Sequence, residues 1–76
     1  MYKLFRQSTK TGKLDTVLSS GSPAMLKLWA LQNTTKSKTT LLYDPDGHVI
    51  YKVVGQASGF PKVFDRSDKN DSMERI

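Results

Sequence analysis

The chain has 76 residues, no cysteine, a single histidine and a formal net charge of +5. That length holds one domain, and a domain this small buries only about 60% of the surface its unfolded chain exposes. Without cysteine, disulfides and thiolate metal sites are excluded, and His48 alone cannot build a zinc site, so stability must come from packing or self-association.

Tyr2 to Gln7 alternates aromatic, aliphatic and long polar residues in strand fashion. The polar stretch Ser8-Thr9-Lys10-Thr11-Gly12-Lys13 suits a turn, and Leu14 to Ser19 resumes the strand character. These segments predict a first β-hairpin whose register the sequence does not fix. Ser20-Gly21-Ser22-Pro23 then breaks the pattern. Ser22 suits an N-cap and Pro23 the first helical position, which predicts a helix over Pro23–Gln32 ended by Asn33-Thr34-Thr35. On a wheel of 3.6 residues per turn, Ala24, Met25, Leu28, Trp29 and Leu31 form the expected core face, and Leu26, Lys27 and Ala30 face away.

Thr39 to Tyr43 is rich in residues that suit a pleated surface. Asp44-Pro45-Asp46-Gly47 is the clearest turn in the chain: proline presets one position, Asp46 bonds locally, and Gly47 takes a positive φ. His48 to Val54 is the return strand of a second hairpin. After Gly55, residues 56–59 read as a linker, Phe60-Pro61-Lys62-Val63-Phe64 as a short apolar island, and Asp65 to Ile76 as a flexible polar tail.

The expected fold is therefore α+β: a four-stranded antiparallel sheet (ββαββ) over residues 1–55, with one helix packed on one face. Residues 56–76 form a linker and tail, partly docked through 60–64. One helix covers one face of a sheet, so the opposite face is left open, or is covered by the tail or another subunit. The start of the chain lacks the apolar run of a signal peptide, and no window is long and apolar enough to span a bilayer. A cytoplasmic location without membrane contact is expected.

The charge sits in the body. Residues 1–55 hold eight Lys and Arg against three Asp, a balance of +5, whereas residues 56–76 hold four of each sign. A basic body attracts acidic partners: nucleic acid or a nucleoprotein, an anionic membrane, or an acidic protein surface. The plainer account is that lysines keep a small domain soluble.

No stretch specifies a reaction. Gly12-Lys13 lacks the upstream glycine and the following Ser or Thr of a phosphate loop. Asp44-Pro45-Asp46-Gly47 lacks the closing glutamate of a calcium loop. His48, near Asp46 and Tyr51, suits an acid–base site only within a sheltered cleft, and a histidine beside a turn is usually exposed. No enzyme activity, cofactor or metal is expected. The aromatics Tyr2, Phe5 and Tyr51 stand among Lys3, Arg6 and Lys52, and on a sheet such residues stack bases while cations meet phosphates. Equally, the aromatics are core and the cations merely flank it.

With Tyr2–Gln7, the helix at Pro23–Gln32 and the turn Asp44–Gly47 in place, the layout of residues 1–55 resembles small accessory proteins of phages and mobile elements, including some anti-CRISPR proteins. The resemblance is one of size and layout. It implies a helix on a small antiparallel sheet, no cofactor, and a surface that mimics or blocks nucleic-acid contacts.

Two functions follow as expectations. The first is a binding module that engages nucleic acid or a nucleoprotein through Lys3, Arg6, Lys10, Lys13, Lys36, Lys38 and Lys52. The second is a protein-interaction module, an inhibitor or a homodimer, acting through Phe5 on the open sheet face or through Phe60 and Phe64.

Overall fold

The computed structural model describes residues 1–57 and 59–66. In chain order these form β1 (Tyr2–Ser8), β2 (Leu14–Ser20), α1 (Pro23–Asn33), β3 (Lys38–Tyr43), β4 (Val49–Val54) and β5 (Lys62–Asp65). The fold is α+β, but the sheet has five strands rather than the expected four, in the order β2-β1-β3-β4-β5. Every neighbouring pair is antiparallel.

The added strand comes from the apolar island. The chain turns after β4 through a Gly59 N–H to Gln56 carbonyl bond of 3.1 Å and re-enters at Pro61. It then pairs Val63 with Val53 and Asp65 with Tyr51. Proline has no N–H to give a ladder, so it stands naturally at the mouth of an edge strand. Arg66 extends the pairing with an N–H bond to the Ile50 carbonyl at 2.7 Å. Asp65, expected in the tail, thus belongs to the sheet, and Arg66 is tied to it by that bond. The rest of the expected tail, from residue 67, lies outside the described residues.

Both hairpins form where the sequence predicts them. In the second, the Asp44 carboxylate accepts the N–H groups of Asp46 and His48 at 3.0 and 2.8 Å, and Gly47 takes φ +89°. Chiefly the His48 N–H bond holds the Asp44 carboxyl below its ordinary pKa.

The helix begins as predicted. Ser22 is extended (φ −110°, ψ 103°), and its hydroxyl accepts the Met25 N–H at 3.4 Å, with Pro23 opening the helix. Its C-terminus has no basic residue of its own. Arg6 of β1 supplies one, donating from Nη1 to the Asn33 carbonyl at 2.8 Å, where a cation complements the helix dipole.

The helix lies on the sheet by the face opposite to the expected one, although Trp29, expected at the edge of the core face, does pack against the core. Leu26 and Ala30 are buried, whereas Met25, Leu28 and Leu31 are 68%, 55% and 44% exposed. The physical reason is that α1 is apolar nearly all round, with Lys27 its lone charged residue, so the wheel offers two apolar arcs. The arc that docks has the small Ala30 at its centre. Its flanking Lys27 and Trp29 find partners there: the Lys27 ammonium sits 5.3 Å from the Tyr51 ring and 3.4 Å from Asp65, and the Arg6 guanidinium lies 5.2 Å from the Trp29 ring.

Leu4, Leu42, Tyr51 and Val53 of the sheet close the core against Leu26 and Ala30, with Tyr2, Leu18, Trp29 and Ile50 packed around them. Burial, and secondarily the Asp65 carboxylate, pushes the Tyr51 hydroxyl above its usual pKa. Thr34 and Thr40, both buried, share a hydroxyl–hydroxyl hydrogen bond that ties the helix end to β3. Gly55 is sterically required: a Cβ there would fall 1.7 Å from the Thr35 carbonyl oxygen. No helix among the described residues is long and apolar enough to cross a membrane.

Candidate nucleic-acid interface

Side chains alternate across a strand, so the partners of the core residues define the other face. Leu4, Leu42, Tyr51 and Val53 point at the helix. Lys3, Phe5, Leu41, Tyr43, Lys52, Lys62 and Phe64 therefore point away from it. Cross-strand register lines them up: Val17 stands opposite Phe5, Phe5 opposite Leu41, Leu41 opposite Lys52, and Lys52 opposite Phe64. One row thus crosses all five strands. A second sets Lys3 beside Tyr43, and Tyr43 beside Val49.

The aromatics and cations of this face are in contact. Phe5 and Tyr43 meet edge to face, with centroids 5.4 Å apart and planes at 78°. The Lys52 and Lys62 ammonium groups lie 5.8 and 5.3 Å from the Phe64 ring. At the β4–β5 end, Leu41, Val49, Tyr51, Lys52, Phe64 and Arg66 line an open groove of about 400 Å³.

No Asp or Glu among the described residues sits on this face. The two acids within strands are both turned to the helix side. Asp65 meets Lys27. Asp15 lies at a bulge, where Arg6 pairs with Thr16 and Gln7 with Leu14. Its two oxygens meet Arg6 Nε at 2.8 Å and Lys38 Nζ at 2.6 Å. The Arg6 hydrogen bond first, and Lys38 second, hold the Asp15 carboxyl well below the usual carboxylate range.

The seven cations predicted as contacts fall into three groups. Lys3 and Lys52 lie on the open face. Arg6 and Lys38 sit on the helix side, ion-paired with Asp15. Lys10, Lys13 and Lys36 are exposed on two loops at one end of the sheet, joined by the Thr9 N–H to Ser37 carbonyl bond of 2.8 Å. Of the three predicted protein contacts, Phe5 and Phe64 share the open-face row, whereas Phe60 precedes β5 and is 81% exposed. Tyr2 and Tyr51 pack toward the helix.

Tyr43, Lys62 and Arg66 belong to the face without having been predicted. Lys62 and Arg66 are brought there by β5, a strand too short to show a period of its own. Tyr43 could have been found from the alternation Thr39, Leu41, Tyr43, given the core assignment of Leu42.

The Asp44, Asp46 and His48 side chains gather at the second hairpin turn, with potential ligand atoms within 4.8 Å of one another. Hydrogen bonding of the turn itself accounts for Asp44. His48 projects into solvent there while Tyr51 is buried in the core, so the two do not share a cleft.

Compared with known proteins, the chain matches no family model, no curated protein and no solved structure.

Proposed function

We propose that the open sheet face is a non-catalytic binding surface for single-stranded nucleic acid. The observation that carries this reading is the composition of that face: Phe5, Tyr43 and Phe64 interleaved with Lys3, Lys52, Lys62 and Arg66, and no carboxylate among the described residues. Every base has a π-face, so aromatic rings on a sheet take unpaired bases irrespective of sequence, and neighbouring cations meet the phosphates. Phe5 and Phe64 lie three strand spacings apart, about 14 Å at roughly 4.8 Å per strand. That separation is suited to two or three splayed nucleotides and not to the edge of a stacked duplex. The cations on the loops at the sheet end extend the positive surface along which the flanking backbone can run.

The test is a titration of fluorescently labelled single-stranded DNA, single-stranded RNA and duplex oligonucleotides, followed by anisotropy at several salt concentrations. Single strands should bind more tightly than duplex. The logarithm of affinity should fall with the logarithm of salt, with a slope of about −3 if four phosphates are neutralised at roughly 0.7 each. Phe64→Ala should weaken binding while leaving that slope nearly unchanged. A duplex bound as well as a single strand, or no binding at low salt, overturns the reading.

A further inference from the structure

The groove at the β4–β5 end of the open face differs from the rest of that face in its hydrogen-bonding chemistry. Of its lining residues, Leu41, Val49 and Phe64 are apolar. Tyr51 turns its ring to the core, and its backbone is already paired within the sheet. The remaining two are Lys52 and Arg66. An ammonium and a guanidinium carry hydrogen-bond donors and no acceptor. Among the described residues, then, every polar side chain that opens onto the groove is a donor alone. Its volume of about 400 Å³ lies at the lower end of the range for small-molecule sites, about 300–1,000 Å³, and suits one base.

Both cations stand beside the stacking ring. Arg66 is fixed next to β4 by its N–H bond to the Ile50 carbonyl at 2.7 Å, and two residues after Phe64 it projects from the same side of the sheet. It is exposed, and no acid among the described residues pairs with it. The Lys52 ammonium stands 5.8 Å from the Phe64 ring. A base stacked on Phe64 thus meets donors along its edge. A keto oxygen there, O6 of guanine or O4 of uracil and thymine, accepts from them. An exocyclic amine, N6 of adenine or N4 of cytosine, sets donor against donor and gives up its bond to water without replacement. Guanine presents O6 and N7 side by side, the pattern that an arginine fork meets with two bonds.

We infer that this groove selects a keto base, guanine above the others, and that Arg66 is the residue that reads it. The inference deepens the single-strand reading and rests on it. Phe5 and Tyr43 take any base by stacking, so the selection falls at one position of the bound strand.

The test uses heptamers of deoxycytidine, whose own bases carry the N4 amine, with guanine, hypoxanthine or adenine at the central position. Hypoxanthine keeps O6 and N7 and lacks the guanine amine, so it isolates the keto edge from any other property of guanine. In anisotropy titrations at one low salt concentration, the guanine and hypoxanthine strands should bind about tenfold more tightly than the adenine strand, the worth of one charge-assisted hydrogen bond. Arg66→Gln, a change at an exposed position, puts an acceptor beside the donor, and a glutamine amide matches N6 and N7 of adenine. It should abolish the preference while all three strands still bind, with an unchanged circular dichroism spectrum. Guanine and adenine strands bound equally by the unaltered chain overturn the inference and leave the single-strand reading standing. A preference that persists in Arg66→Gln takes the selection away from Arg66 and overturns it likewise. Failure of all three strands to bind overturns both.

Discussion

The Nε of Arg6 lies 2.8 Å from Oδ1 of Asp15, while Nη1 of the same guanidinium donates to the Asn33 carbonyl and its Cζ lies 5.2 Å from the centre of the Trp29 ring. One side chain thus joins a bulge in β2, the helix terminus and the edge of the core. A lysine has no planar fork with which to hold the first two at once. Arg6→Lys should therefore lower the thermal midpoint nearly as much as Arg6→Ala. Loss of the Asn33 bond and the Trp29 contact amounts to on the order of 1 kcal/mol. For a domain of this size that is about 4–8 °C, read from a thermal melt. A lysine variant that melts with the unaltered protein would show that charge alone matters there.

The same cluster sets an acid dependence. Asp15 titrates lower in the folded chain than in the unfolded one, because Arg6 and Lys38 hold its charged form. Its contribution to stability is whole above the unfolded-chain value of about 3.9. It is lost as pH falls from there toward its own lowered value. Asp15→Asn should remove this component. Urea midpoints at pH 6 and at about pH 2.5 should differ less in the variant than in the unaltered chain. An equal difference in both would place the acid sensitivity elsewhere.

Much of the frame was legible in the sequence because it rests on local chemistry. Ser22-Pro23 started the helix, Asp44 to Gly47 turned the second hairpin, and the alternation in β1 sent Tyr2 and Phe5 to opposite faces. Contacts between distant residues were not legible. Leu26 and Leu28 are equivalent in a sequence, and only the sheet beneath decides which one is buried. Lys62 to Asp65 became a strand because β4 had a free edge, not because four residues announce one. The candidate site divides likewise. Lys3, Phe5, Lys52 and Phe64 were named from composition. Arg6 and Lys38 looked like free cations until the bulge at Asp15 brought a carboxylate to both.

The two outward cation groups should behave differently toward nucleic acid. Lys52 and Lys62 stand over the Phe64 ring, so their removal alters both phosphate contact and the stacking platform. Lys10, Lys13 and Lys36 lie on loops away from any open-face aromatic. The double variant Lys52→Ala and Lys62→Ala should weaken single-strand binding by more than the triple Lys10→Ala, Lys13→Ala and Lys36→Ala, although it removes fewer charges. The triple variant should chiefly reduce the salt slope, by up to about 0.7 for each phosphate that is no longer neutralised. Anisotropy titrations across salt separate the two, and affinities that follow the number of charges alone would argue against a stacking surface.

Two glycines give a matched steric comparison. A methyl group on Gly55 meets the Thr35 carbonyl, whereas one on Gly21 meets nothing within 4 Å, and neither residue has a positive φ. The Gly55 N–H also bonds the Lys38 carbonyl at 2.9 Å, so the backbone there is held from both sides. Gly55→Ala should cost about 1–3 kcal/mol through overpacking. Gly21→Ala should be neutral, or slightly stabilising through the stiffer unfolded chain. Chemical denaturation of both variants decides the point, and equal stabilities would mean that the Thr35 loop yields readily.

Leu26 and Leu28 test which way the helix faces. Leu26 is 4% exposed and belongs to the core, and Leu28 is 55% exposed on the outward arc. Truncating a buried leucine removes its transfer free energy and leaves a cavity, about 2–5 kcal/mol in all. Truncating an exposed one in a dilute monomer falls within about 0.5 kcal/mol, and alanine's better helix propensity offsets part of that. Urea unfolding at low protein concentration, where self-association does not contribute, should therefore give a large drop in midpoint for Leu26→Ala and almost none for Leu28→Ala. The opposite ranking would mean that the helix docks through Met25, Leu28 and Leu31.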